Sequence, residues 1–172
     1  ISYASINFVI EKDSDIELIS ADNSEYGNNT IHMSHNVKLR YGDKIIKCDK
    51  LTVDLSKKSI EATGNINIED ENGNIVSADN INIKNKFHDG SLNNAMISME
   101  DKSYMKSSHA EFIGNDEYAM NDVEYSPCYK CHFGDRLTWK IRSDKVTQKD
   151  GEICFKNAKL DFTSDIDYKK II

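Results

Sequence analysis

Five times along the chain a small residue followed by an acid opens an apolar-alternating run: Ala21-Asp22, Cys48-Asp49, Ala78-Asp79, Ala110-Glu111 and Ser143-Asp144. The small residues stand 27, 30, 32 and 33 positions apart, and a turn and a second alternating run follow each of them. A period of this size means one supersecondary unit stacked on copies of itself, because each unit is too small to bury its own oily face. What such a chain does belongs to a surface made by the stack, not to a single residue.

The runs read as strands. In Ile60-Glu-Ala-Thr-Gly-Asn-Ile-Asn-Ile-Glu69 apolar or small residues hold every even position and polar ones every odd position, the period of a half-buried strand. Ile31 and Met33 through Val37 and Leu39 follow the same rule, as do Ala95, Ile97 and Met99, Tyr118 and Met120, and Ile153 and Phe155. Between runs lie Tyr26-Gly-Asn-Asn29, Ser56-Lys-Lys58, Lys86-Phe-His-Asp-Gly90, Asn115-Asp116 and Lys149-Asp-Gly151, mostly residues that tolerate positive φ. Helix signals are nearly absent, and Asp13 to Ile19 reads as strand.

The apolar parity flips at the acid: Ile46 and Cys48 give way to Leu51, Val53 and Leu55, Val76 and Ala78 to Ile81 and Ile83, and Ile141 and Ser143 to Val146. A strand that keeps one face buried does this through an extra residue or a sharp bend. The sequence therefore predicts an all-β fold of stacked, bent antiparallel hairpins, folded into two facing sheets with an apolar channel between them.

With 172 residues, 38% hydrophobic and 30% charged, and a single proline, the chain reads as one domain, 1–172, folded from end to end. Residues 1–16 form its N-terminal edge segment and 163–172 a divergent tail too short for a membrane barrel. A net charge of −7 and three arginines oppose nucleic-acid binding, which needs clustered cations. No apolar run approaches the roughly 18 residues of a membrane helix, so the expectation is a soluble chain that does not itself span a bilayer.

The units Ile46-Lys-Cys-Asp-Lys-Leu-Thr-Val-Asp54, Ile60 to Ile68 and Ser77-Ala-Asp-Asn-Ile-Asn-Ile83 resemble the OstA-like domain of the lipopolysaccharide transport and assembly family. Tyr125-Ser-Pro-Cys-Tyr-Lys-Cys131, Trp139-Lys-Ile-Arg-Ser-Asp144 and Asn157-Ala-Lys-Leu-Asp-Phe162 are similar to the end of the periplasmic domain of that family's outer-membrane assembly protein. The resemblance covers about residues 17 to 162. It implies an OstA-like β-jelly-roll (β-taco) whose splayed sheets hold lipopolysaccharide acyl chains and pass them toward the outer membrane. It also implies a periplasmic, outer-membrane-associated location. The partners it implies are a bridge jelly-roll added strand to strand at the N-terminal edge and an outer-membrane barrel, to which a cysteine matching Cys128 is disulfide-linked; Cys131 is an extra thiol whose expected disulfide partner is either Cys128 or a barrel cysteine. After Phe162 the sequence departs from the family's pattern.

A trough lined by Ile, Val, Leu and Met suits flexible alkyl chains without exact polar contacts. The residues expected to face it are Ile19, Ala21, Ile31, Met33, Val37, Leu39, Ile46, Ile60, Ala62, Ile66, Ile68, Val76, Ala78, Ile97 and Met99; plain core packing accounts for the same pattern.

Cys128-Tyr-Lys-Cys131-His132 also spells a c-type haem attachment motif, so a haem or thiol redox module is the alternative function. Cys48 and Cys154 lie in strand-like runs and read as buried small apolar residues, and no cysteine and histidine set has zinc spacing. His32 and His35 project from opposite faces of a strand and cannot share a metal. Lys44, Lys47 and Lys50 could meet lipid phosphates, although Asp43 and Asp49 interleave with them. No nucleophile triad, phosphate loop or carboxylate pair stands out, so neither an enzyme nor a bound cofactor is expected.

Overall fold

The computed structural model describes residues 16–84, 89–113, 117–127 and 138–163, and among these all regular structure is strand. The elements are β1 (Ile16–Ser20), β2 (Asn23–Gly27), β3 (Thr30–Tyr41), β4 (Lys44–Asp54), β5 (Ser59–Glu69), β6 (Ile75–Lys84), β7 (Asp89–Ser98), β8 (Tyr104–Ile113), β9 (Glu117–Ser126), β10 (Thr138–Lys149), β11 (Glu152–Lys156) and β12 (Lys159–Thr163). They form one antiparallel sheet in sequence order from β3 to β10. At one end β3 pairs with β2 through its first half and β1 through its second; at the other, β10 pairs with β12 and β11 in the same divided way.

That division marks a crease that crosses every long strand near its middle. Inward residues sit two apart on each side of it but three apart across it: Cys48 and Leu51, Ala78 and Ile81, Leu92 and Ala95, Met120 and Val123, Ser143 and Val146 are all buried pairs of this kind. In β3 and β5 the step is four, from Met33 to Val37 and from Ala62 to Ile66, and the register slips there against both neighbours of β5. The two residues that fill each wider step have left-handed backbone: His35 and Asn36 (φ 62° and 52°), Gly64 and Asn65 (75° and 47°). In β7 and β9 one residue suffices, Asn94 (50°) and Asp122 (49°). The crease divides the sheet into a first leaf, which includes β2 and β11, and a second leaf, which includes β1 and β12, and the leaves fold face to face. This is the bent-hairpin β-jelly-roll expected from the parity flips.

Two details correct the sequence reading. In the wider steps of the crease the extra residue lies on the returning strand, β3 or β5, opposite the acid and not at it. And β8 turns the crease at Ser107-Ser108, not at Ala110-Glu111: Ser107 pairs with Ala95 across β7, the buried Ala110 belongs to the first leaf, and Glu111 points outward. The acid at this corner is on the other strand, at Asp122, which is why a search for small-acid pairs slid three residues along.

Hairpin turns line the rims of the leaves away from the crease. At the first of these after β4, Asp54 accepts hydrogen bonds from the Ser56 and Lys57 backbone amides (3.0 and 2.9 Å) and from Ser56 Oγ (2.9 Å). Asp70 closes the next rim turn through the amides of Asn72 and Asn74, both at 2.9 Å. Side-chain oxygens that mimic a turn's own hydrogen bonds explain why polar Asp and Asn punctuate the runs.

Candidate functional site: the folded apolar interior

Cross-strand partners lie on one face of a sheet, so register alone strings the inward side chains into rows. In the second leaf the row runs Leu18, Leu39, Ile46, Ile68, Val76, Ile97, Met105, Tyr125, Ile141, Leu160, one residue from each of ten strands. The first leaf answers with Met33, Leu51, Ala62, Ile81, Leu92, Ala110, Met120, Val146 and Phe155. Between them, along the inside of the crease, sit small or branched residues: Val37, Cys48, Ile66, Ala78, Ala95, Ser107, Val123 and Ser143.

These rows fill the space between the leaves. Leu39 is wholly buried, and Val37, Leu51, Val53 and Val146 keep 2% or less of their surface exposed. The channel expected from sequence is thus occupied here by the protein's own side chains, because facing leaves of Ile, Leu and Val gain about 25 cal/mol for each Å² they hide from water. Met105, Tyr125 and Ile141 are partly exposed, and the rows are most open at their ends. Leu18 is 46% exposed at one end, and Phe155, Leu160 and Phe162 are 48, 53 and 59% exposed at the other.

The residues singled out from sequence converge on this interior almost as a set. Met33, Val37, Leu39, Ile46, Ile60, Ala62, Ile66, Ile68, Val76, Ala78 and Ile97 are buried in the core, and Ala21, Ile31 and Met99 pack partly buried against it. Ile19 stands apart: it falls at the register shift of β1, 41% exposed, and Leu18 takes the place opposite Leu39. Pattern reading missed most of the C-terminal lining, including Met105, Ala110, Phe112, Val123, Tyr125 and Ile141. Alternation was visible in those runs, but Ser, Tyr and Gly at inward positions diluted it.

The interior changes character along the stack. From β3 to β7 its lining is mainly aliphatic. From β8 onward it carries Phe112, Tyr118 and Tyr125, with Tyr125 tilted against Trp139 at 5.8 Å between ring centroids. Phe112 lies over Gly90, where an added Cβ would overlap its ring. Burial pushes the Tyr118 hydroxyl above its ordinary range. Ser107 and Ser143, buried at the crease, place Oγ 2.8 and 2.9 Å from the carbonyl oxygens two residues on and 2.8 and 2.7 Å from Asn121 O and Lys156 O on the next strand. A buried hydroxyl is therefore satisfied without a ligand.

The other candidates disperse. Lys44 is held at the rim by Asp43, while Lys47 and Lys50 point outward from different leaves, so the three do not meet. His32 bonds Thr52 (3.1 Å) and His35 bonds Asn23 (3.3 Å). Cys48 is buried as expected, and its thiol is pushed up to about 11 by burial and by Asp49; Cys154, expected to be buried, is instead exposed, because it lies in the end strand β11, all of whose residues are exposed. Cys128, Cys131 and His132, on which the disulfide and haem expectations rest, lie outside the described residues. A polar cleft of about 310 Å³ near the last corner is lined by Asp122, Glu124, Arg142, Asp144 and Lys159 among others, but Arg142 is spent on Asp161 (2.6 Å). Among the described residues no group of three or more His, Cys, Asp and Glu side chains is placed to hold a metal, and no helix is long and apolar enough to cross a membrane.

Comparison with known proteins bears out the resemblance read from the repeat units. Over 151 residues, 85% of its length, the chain is 26% identical to the LPS-assembly protein LptD of Shewanella denitrificans, of which it spans 19%. No family model matches. The chain also aligns, over 90% of its length and 97% of the other, with the crystal structure of LptH, the LptA homologous periplasmic component of the lipopolysaccharide transport device of Pseudomonas aeruginosa; at 9% identity and a TM-score of 0.30 that alignment carries no argument.

Proposed function

We propose that this chain is a non-enzymatic lipid conduit, which takes the acyl chains of lipopolysaccharide between its leaves and passes them toward the outer membrane. The observation that carries the reading is the ten-strand row from Leu18 to Leu160, an apolar track that crosses the domain from edge to edge and is exposed at both ends. A core built for stability alone gains nothing from leaving Leu18, Phe155, Leu160 and Phe162 in water. The resemblance to an LPS-assembly protein supports the same ligand.

Because the leaves already touch, an alkyl chain enters by parting them at the rims, while the crease holds. The cost is small. Each methylene that slides in restores about 0.8 kcal/mol of burial, so hydrocarbon replaces hydrocarbon. On this reading the protein acts at the periplasmic face of the outer membrane. Its partners are lipopolysaccharide, a jelly-roll bridge adding a strand at the β1/β2 end, and a barrel beyond the β11/β12 end.

Photo-crosslinking tests it. A benzophenone side chain at Ile31 or Met33 in lipopolysaccharide-producing cells should label lipid, and one at Glu61 or Asn67, which point away from the interior, should not. Equal labelling at both sets, or none at either, overturns the proposal.

A further inference from the structure

We propose that the acids of the repeat are positioning residues, which clasp each hairpin at the crease and so fix the angle between the leaves and the hold of the interior on an alkyl chain. The lipid half of this statement rests on the function proposed above; the angle does not.

The clasp recurs at every corner. Asn36 Nδ2 donates to Asp22 Oδ2 at 2.8 Å, Asn65 to Asp49 at 2.7 Å, Asn94 to Asp79 at 2.6 Å and Asn157 to Asp144 at 2.7 Å. In the fourth hairpin the chemistry is reversed but the bridge survives: Ser108 Oγ donates to Asp122 Oδ2 at 2.6 Å. All five sit on the outside of the crease, and each joins the two strands of one unit: β1/β2 with β3, β4 with β5, β6 with β7, β8 with β9, and β10 with the β11/β12 corner.

Every partner opposite the opening strand is left-handed, with φ between 47° and 54° at Asn36, Asn65, Asn94, Asp122 and Asn157. Asn and Asp accept that conformation because their short side chains hydrogen-bond locally. The clasp therefore does two things at once, selecting the backbone of the corner and tying it to an ionised acceptor, which is stronger than a neutral bond. A second contact confirms the fit at one corner. A Cβ on Gly64 would stand 2.5 Å from Asp49 Oδ2, so the carboxylate lies directly over the bend. Five such bridges in a row form a stiff spine, and they leave the leaves free to move only at the rims.

Asn94→Gly separates the clasp from the backbone, since glycine takes a φ of 50° without strain and only the amide is lost. Nitroxides carried on ketone-bearing residues at Ser91 and Ser98, outward on either side of the β7 corner, report the angle between leaves. The expected result is a broader, longer distance distribution in Asn94→Gly. Retention of cis-parinaric acid, a fluorescent fatty acid, should weaken about fivefold, the scale of one hydrogen bond. The exchanged pair Asp79→Asn with Asn94→Asp, which copies the polarity of the fourth hairpin, should restore both. Asn94→Gly distances like those of the unaltered protein overturn the clasp. Failure of the unaltered protein to take cis-parinaric acid overturns the lipid function and its half of this statement, while the distances still decide the angle.

Discussion

Gly90 and Phe112 show how one missing side chain shapes the interior. An added Cβ at Gly90 would overlap Phe112 Cζ and lie 2.8 Å from the Asn82 carbonyl oxygen, which is fixed backbone. Gly90→Ala should therefore cost about 2 kcal/mol in urea unfolding, the scale of an overpacked core, and Phe112→Leu should recover only part of it because the carbonyl remains. An unchanged midpoint would show that the strand shifts freely. Asp54 offers a test in pH. Its carboxyl is held down to about 2, first by the Lys57 backbone amide and then by Ser56 and the Lys57 side chain. A depressed acid stabilises above its unfolded value near 4 and loses that contribution as pH falls through the folded one. The Asp54 carboxyl resonance should titrate near pH 2, and Asp54→Asn should flatten stability between about pH 4 and 2; a midpoint near 4 would remove the turn from the account. Neither effect could be read from sequence. Gly90 appears there as a turn residue, and Asp54 as one acid among many.

The strands divide into those flanked along both edges and those flanked along one. Leu51 lies in β4, between β3 and β5, and is 2% exposed; Leu51→Ala should cost about 3 kcal/mol. Phe162, in β12 with β10 alone beside it among the described strands and 59% exposed, is larger, yet Phe162→Ala should cost under about 0.5 kcal/mol. Comparable losses in urea titrations would mean that the end strands are covered in solution. Element by element the sequence served well where apolar residues alternate without gaps, as in β4, β5 and β6. It misplaced the corner of β8 because Ser107 and Ser108 supply the small residue and the clasp donor, while the acid comes from Asp122 on β9. A one-dimensional search cannot see that a bridge between two strands works in either polarity.

For the molecule as a whole, a sheet stacked in sequence order has local contacts everywhere and, among the described residues, no closing strand, so stability should fall toward both ends. Amide exchange should be slowest from β4 to β8 and faster by orders of magnitude in β2, β11 and β12; uniform protection would contradict a stack with frayed edges. The sequence by itself determined the repeat, the strand period and the bend, because alternation and its interruption are properties of neighbours along the chain. It also marked the chosen apolar residues as inward-facing, and all but Ile19 lie in or against the core. Only the tertiary structure decided the rest: which strand carries the extra residue, which acid meets which amide, that Leu18 and not Ile19 opens the track, and that the two leaves touch. Those depend on register and on the fold angle, which are set between strands, where a linear pattern holds no information.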